Sequence, residues 1–134
     1  MKKNVVEISF EGKNFSAYFP DLPGCISVGD TPDEIKAHIS EALEVHLAGM
    51  REDGDIIPAT FTGKYELIYK FDAESLLNYY KGLFNKKGLE KLTGISQAQL
   101  QHYSKGIKKP RLEQIKKIKS AMRQLGSELL AVEL

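Results

Sequence analysis

The sequence predicts an α+β protein: a β-β-β-α-β domain over residues 1–71, followed by an all-α helix-turn-helix domain over residues 72–134. Three observations predict this division. Short runs rich in β-branched and aromatic residues dominate the first part, and apolar residues at helical spacing dominate the second. The charge also changes sign, because the first part has seven Lys or Arg against twelve Asp or Glu (−5), and the second has twelve against six (+6).

The first strands are predicted from short apolar runs separated by turn residues. Val5–Phe10 and Phe15–Phe19 flank a glycine-containing connection, which indicates a hairpin. The prolines of Pro20–Gly24 interrupt the strand pattern because proline has no backbone donor. Cys25–Val28 resumes an extended run, and Tyr65–Tyr69 is predicted to form a fourth strand.

One long helix is predicted between the third and fourth strands. Thr31 is expected to cap it, Pro32 suits its first turn, and Glu34 completes a capping box. We expect the helix to end at Gly49, before a polar loop that reaches Pro58. Apolar residues recur along it at helical spacing, which predicts that one face lies on the sheet. This stripe comprises Ile35, Ile39, Ala42, Leu43, Leu47 and Met50.

The stretch Leu89–Arg111 has the spacing of a helix-turn-helix. Gly94 can end one helix, and Ile95 can fill the corner between the two helices. Ser96 and Gln99 form a capping box, which gives the second helix a defined start. In this motif the second helix is the one that enters a DNA major groove.

That second helix is predicted to be polar on its outer face and to end at Gly106. At about 100° per residue, Leu100 and Tyr103 point inward. Amides and an imidazole on the outer face can read base edges, and the basic side chains that follow can bind phosphates. The candidate DNA-binding residues are Ser96, Gln97, Ala98, Gln101, His102, Lys105, Lys108, Lys109 and Arg111. An ordinary solvated helix would also have surface lysines. The tight turn, the capped start, the polar outer face and the basic residues that follow nevertheless favour DNA binding when they occur together.

A last amphipathic helix is predicted over residues 112–125. Its inward face is expected to comprise Leu112, Ile115, Ile118, Met122 and Leu125. After Gly126 and Ser127, the segment Glu128–Leu134 fits either a final helical turn or a strand. Its apolar density predicts that it is covered, for example by a second subunit.

Leu89–Pro110 resembles the helix-turn-helix of the Xre and phage-repressor group. The resemblance implies that the first, second and sixth residues of the recognition helix meet bases, which here are Gln97, Ala98 and His102. Ala98 stands where a polar residue is more common in that group. His102 is an unusual base reader, and a phosphate is the alternative contact for it.

Tyr18–Cys25, followed by Gly29–Glu34 and a long helix, resembles the N-terminal domain of HicB antitoxins. The resemblance implies a partial ribonuclease H-like fold joined to a DNA-binding module. It also implies two partners, a small basic HicA-like toxin that cleaves mRNA and the operator double-stranded DNA of the shared operon. Asp21, Glu41 and Glu44 are candidates for contacting the toxin, because the acidic half would face a basic protein.

A homodimer or higher homo-oligomer is expected, since each domain is small and helix-turn-helix modules usually bind paired half-sites. A stand-alone transcription regulator, whose α/β domain senses a small ligand, is the alternative function.

Neither a catalytic residue nor a cofactor or metal site is predicted. Ribonuclease H chemistry needs carboxylates that converge on two metal ions, whereas the acidic residues here suit caps, turns and strand positions. Cys25 beside His38 or His46 is more typical of packing than of a nucleophile and base. A single cysteine and the lack of an apolar opening segment predict a cytoplasmic protein with no disulfide framework, signal peptide or membrane span.

Overall fold

A four-stranded sheet with one long helix occupies the N-terminal part of the chain, and four helices occupy the C-terminal part. The structure is a computed structural model that describes all 134 residues. The chain divides into Met1–Asp72, called unit 1 below, and Ala73–Leu134, called unit 2. The predicted α+β class and the β-β-β-α-β order are confirmed. No helix combines the length and the apolar character needed to cross a bilayer.

The sheet of unit 1 contains β1 (Lys2–Phe10), β2 (Phe15–Tyr18), β3 (Ile26–Gly29) and β4 (Tyr65–Phe71). Its strand order is β3-β2-β1-β4, with β1 antiparallel to β2, β2 antiparallel to β3, and β1 parallel to β4. β1 starts three residues before the predicted strand, because its first residues pair with β4 from Lys2 opposite Tyr65 onward. Such a parallel partner is distant in sequence, and no local pattern marks it.

Helix α1 (Pro32–Asp53) connects β3 to β4 and covers the sheet. Its predicted cap is confirmed, because the Thr31 hydroxyl accepts a 3.0 Å hydrogen bond from the Glu34 N–H. The Glu34 carboxylate reaches back to the N–H of Asp30 at 3.3 Å, one residue before the cap. The buried residues of the helix are Ile35, Ile39, Leu43 and Leu47. Alternating residues of the first two strands are also buried, namely Val6, Ile8, Phe15 and Ala17.

The prediction that α1 ends at Gly49 is wrong. Gly49 is a helical residue, since an isolated glycine only weakens a helix and does not end it. The helix continues to Asp53 and stops where Gly54 adopts a φ of 72°. The Gly54 N–H then bonds to the carbonyl of Arg51 at 3.2 Å, and the Asp55 N–H to that of Met50 at 2.9 Å, which is a Schellman motif.

Unit 2 consists of α2 (Ala73–Tyr79), α3 (Lys86–Thr93), α4 (Gln97–Ser104) and α5 (Leu112–Leu130). Its buried core draws one or more residues from α2, the α3–α4 turn, α4 and α5. These residues are Ala73, Leu77, Ile95, Leu100, Tyr103 and Ile118, with Leu89 and Met122 partly buried against them. The core therefore fixes how α4 is rotated against the other helices.

The last helix differs from its prediction in length and rotation. α5 continues through Gly126 to Leu130, so the start of the ambiguous segment Glu128–Leu134 is helical and not a strand. Leu112 and Ile115 were predicted to point inward but are exposed, whereas Ile118 and Ala121 are buried. The face that packs therefore includes these two buried residues, and Ile118 belongs to the core that α5 shares with α2 and α4.

Candidate nucleic-acid interface

The turn between α3 and α4 has the geometry that its sequence predicts. Gly94 adopts a φ of 74°, and its N–H bonds to the carbonyl of Glu90 at 2.8 Å, which ends α3. Ile95 follows it into the core at 2% exposure. The Thr93 hydroxyl donates a hydrogen bond to the carbonyl of Leu89 at 2.8 Å and accepts one from the N–H of Ile95 at 3.1 Å. One side chain therefore stabilises the turn by bonding to residues before and after Gly94.

Both ends of α4 are capped. The Ser96 hydroxyl accepts a hydrogen bond from the N–H of Gln99 at 3.3 Å, which confirms the predicted cap. At the other end Gly106 adopts a φ of 74°, and its N–H bonds to the carbonyl of Tyr103 at 3.0 Å. The N–H of Ile107 bonds to the carbonyl of His102 at 2.9 Å, which completes a second Schellman motif. These caps hold the short helix and set the direction of the basic loop after it.

The exposed ridge of α4 comprises Ala98, His102 and Lys105. Leu100 and Tyr103 are buried on the opposite side, which confirms the predicted rotation of the helix. The remaining candidate residues of the loop, Lys108, Lys109 and Arg111, are also exposed, as is the capping residue Ser96. This arrangement leaves a small methyl, an imidazole and an ammonium group along the outer line of the helix.

Gln97 and Gln101 are less exposed than the ridge. Both are half-buried and line a small groove of about 60 Å³ together with Leu77, Phe84 and Leu89. The Gln97 amide Nε2 donates a 2.9 Å hydrogen bond to the Glu90 carboxylate on α3. This bond uses one of the two N–H donors of the amide and fixes its orientation.

Positively charged residues flank α4 on both sides, and sequence reasoning found only part of them. Lys81 and Lys86 line the small groove beside Gln97. On the other side, Lys117 of α5 lines a wider groove with Gln99 and the loop residues Lys108, Lys109 and Arg111. Lys81 and Lys117 lie outside the motif in sequence, and the packing of the helices places them beside α4. Cations on both sides of a protruding helix suit the two phosphate backbones that border a major groove.

Of the acidic candidates of unit 1, two lie on the open surface and one lies beside a groove. Asp21 is exposed in the turn that follows β2, and Glu44 is exposed on α1. Glu41 lines an open groove between α1 and the edge strand β3. Sequence reasoning missed the apolar character of this region, where Ile26 of β3 and Val45 of α1 are 70% and 74% exposed. Only Glu41 among the three acids lies against that groove.

Cys25 is buried, whereas the two histidines of α1, His38 and His46, are half-buried. The burial of Cys25 raises the pKa of its thiol, which disfavours the thiolate that a nucleophile needs. His38 Nδ1 lies 2.7 Å from the carbonyl oxygen of Val28, and because a carbonyl only accepts, Nδ1 carries the proton and ties α1 to β3. No group of three or more His, Cys, Asp or Glu side chains is placed to hold a metal ion.

Comparison with known proteins assigns a relationship to unit 1. Residues 4–68 match the family described as the HicB-like antitoxin of bacterial toxin–antitoxin systems. Most of unit 1 is therefore similar to HicB-like antitoxins. This match supports an antitoxin role, and HicB-like antitoxins are not a family known for catalysis.

A phage protein shares a shorter segment with the chain. It is an uncharacterized 14.9 kDa protein in the rep-hol intergenic region of Haemophilus phage HP1 (strain HP1c1), and it is 46% identical over 39 residues. The shared segment spans 29% of this chain and 29% of the phage protein. It therefore indicates local relatedness and carries no assignment of activity.

Proposed function

We propose that this chain is a cytoplasmic antitoxin that binds and occludes a HicA-type mRNA-cleaving toxin and represses its own operon by binding operator DNA as a homo-oligomer. One observation carries the proposal: residues 4–68 match the HicB-like antitoxin family, and two capped helices joined by a tight turn, α3 and α4, follow in the same chain. A toxin-binding domain beside a DNA-binding domain lets the amount of free antitoxin control transcription. In the alternative, a stand-alone regulator, the α/β domain would sense a small ligand and would bind no toxin.

The acidic character of unit 1 supports the toxin-binding part of the proposal. A ribonuclease needs a basic surface for the RNA backbone, and residues 1–71 carry a formal charge of −5. Complementary charge mainly speeds the encounter of two proteins, whereas affinity comes from buried apolar contacts. The groove beside Glu41, with exposed Ile26 and Val45, provides both kinds of contact. Occlusion of the toxin surface requires no chemistry from the antitoxin.

The geometry of unit 2 supports the DNA-binding part. α4 is held at both ends by caps, and its ridge of Ala98, His102 and Lys105 protrudes between basic flanks. Gln97 lies beside this ridge at the N-terminal end of α4, and its amide can pair with adenine through two hydrogen bonds. We assign base reading to Gln97 and the exposed residues of α4, and phosphate contacts to Lys108, Lys109 and Arg111.

A two-part experiment tests the proposal on the full chain. The small basic protein encoded beside this gene is co-expressed with it, purified as a complex, and tested for RNA cleavage with and without the antitoxin. We expect 1:1 or fixed-stoichiometry capture and loss of cleavage. No cleavage is expected from the antitoxin alone with magnesium or manganese, and RNA cleavage that a carboxylate substitution abolishes would make the protein an enzyme.

The second part separates the two activities. Gln97→Ala should weaken binding to DNA from upstream of the gene and leave toxin neutralisation unchanged. A chain that binds no neighbouring protein but still binds that DNA would support the stand-alone regulator instead. A variant that loses both activities together would indicate misfolding, which circular dichroism detects.

A further inference from the structure

The C-terminal part of α5 extends beyond the core of unit 2. From Arg123 to Leu130 no residue is buried, and Leu129 and Leu130 are 63% and 90% exposed. Gly126 lies within this part, and glycine weakens a helix interior. Within it only Leu125 and Gly126 are even partly buried, so this helix end gains little stability from its own chain, and an external partner would stabilise it.

An apolar stripe runs along α5 from the core to this exposed end. Ile118, Met122, Leu125 and Leu129 follow one another at spacings of four, three and four residues, which keeps them on one face of a helix. The stripe begins in the core, where Ile118 is buried, and ends at the exposed Leu129. Leu130 is equally apolar but lies about 100° away from this face.

The inner part of the same stripe borders an empty apolar groove. This groove has a volume of about 190 Å³, and its lining includes Leu76, Tyr80, Leu83, Phe84, Ile118 and Met122. Leu83 at its rim is 75% exposed. One chain therefore presents both a projecting apolar helix end and an apolar recess that such an end can enter.

The register of the stripe selects an antiparallel second copy as the occupant. In an antiparallel pair Met122 faces the partner's Leu125, and the same register places Ile118 opposite the partner's Leu129. The projecting Leu129 of each copy thus meets the groove of the other, twice by symmetry. Such reciprocity is what a two-fold interface requires.

The charges along α5 favour the same orientation. The part of α5 up to Arg123 contains Lys116, Lys117, Lys119 and Arg123 against a single acid, Glu113, whereas the residues after Arg123 include Glu128 and Glu133 and no Lys or Arg. An antiparallel pair brings the acidic end of each helix toward the basic half of the other. A parallel pair would place the basic halves side by side, which costs energy.

We propose that the α5 stripe from Ile118 to Leu129 and the groove at Leu83 form an antiparallel homodimer interface. The dimer forms without DNA or toxin. Its use in binding paired operator half-sites rests on the function proposed above.

Analytical ultracentrifugation of the full chain across protein concentration, without DNA, tests the interface. The unaltered chain should sediment as a dimer. Leu129→Glu, on the projecting end, and Leu83→Asp, at the groove, should each raise the dissociation constant by at least about tenfold, because a charge enters an apolar contact at two symmetric positions. Both residues are exposed in the single chain, so folding by circular dichroism should be unchanged.

Leu130→Glu is the matched control, since it places the same charge one residue away and off the stripe, and it should leave the dimer intact. A chain that stays monomeric at about 100 µM, far above a micromolar dissociation constant, would overturn the proposal. Equal effects of Leu129→Glu and Leu130→Glu, or no effect of Leu83→Asp, would also overturn it. A dimer that forms as expected but binds no upstream DNA would contradict the proposed repression and leave the interface standing.

Discussion

The hydrogen bond between Gln97 and Glu90 places a carboxylate beside the helix that we propose reads DNA, and this has two opposite consequences. The 2.9 Å bond orients the Gln97 amide for a base edge. The Glu90 charge also repels the phosphates of any DNA that approaches. Two substitutions at the same position separate orientation from charge, because Glu90→Gln keeps an acceptor at the same length while Glu90→Ala removes it.

The expected magnitudes differ enough to be measured. Gln97→Ala should lose about 1–3 kcal/mol of sequence discrimination, or roughly 5- to 150-fold. Removing the Glu90 charge should strengthen binding to all sequences by less than about 1 kcal/mol, since charges several ångströms apart in water interact weakly. Glu90→Gln should therefore raise affinity evenly and keep discrimination. Glu90→Ala should raise non-specific affinity and lose part of the discrimination that depends on Gln97.

Fluorescence anisotropy at fixed ionic strength, with the operator and a scrambled duplex, measures both quantities. The double variant Glu90→Ala with Gln97→Ala completes a cycle, and it should discriminate no worse than Gln97→Ala alone. Identical discrimination by Glu90→Gln and Glu90→Ala would show that the bond does not orient the amide. Unchanged operator affinity in Gln97→Ala would refute the assignment of the reading face itself.

Three further results are expected. Lys108→Ala should weaken binding to the operator and to scrambled DNA equally. It should also lower the slope of log affinity against log salt concentration by about one, which a salt titration measures. Weaker binding to the operator alone would contradict a phosphate contact. Reversing the charge of Glu41 should slow toxin association and reduce its salt sensitivity in stopped-flow or surface-binding kinetics. Charge reversal at Asp21 and Glu44 should add to this effect only if these residues share the interface. Association rates that do not depend on salt in any variant would exclude electrostatic steering. Ile95→Ala should lower the free energy of unfolding of unit 2 by about 2–4 kcal/mol in urea, because the side chain is buried at the turn. A decrease of less than about 1 kcal/mol would show that the residues around the turn repack.

Local signals in the sequence predict the parts of the fold that depend on a few neighbouring residues. The caps at Thr31 and Ser96 form because a hydroxyl meets a backbone N–H three residues later. Gly94 and Gly106 end their helices in the left-handed conformation for the same local reason. The inward side of α4 follows from helical periodicity alone.

The failures of prediction concern features that depend on tertiary packing. Gly49 and Gly126 look like helix ends in sequence, but neighbouring residues on both sides keep each within a helix. The rotation of α5, which buries Ala121 and exposes Ile115, is set by its packing into the core of unit 2. The bond between Gln97 and Glu90 likewise depends on the angle between two helices. No spacing rule within a single helix predicts any of these contacts.

The formal charge of the whole chain, +1, is a poor guide to what it can bind. At physiological ionic strength, exposed charges interact strongly only within about 8 Å. Under the proposed function, the nearby lysines and Glu90 would therefore govern DNA binding at α4, and the acids of unit 1 would govern toxin binding there. At low salt the screening length grows, so the −5 of residues 1–71 would oppose DNA binding by residues 72–134. A basic toxin bound to unit 1 would cancel that repulsion, and linkage requires that DNA then strengthen toxin binding by the same factor.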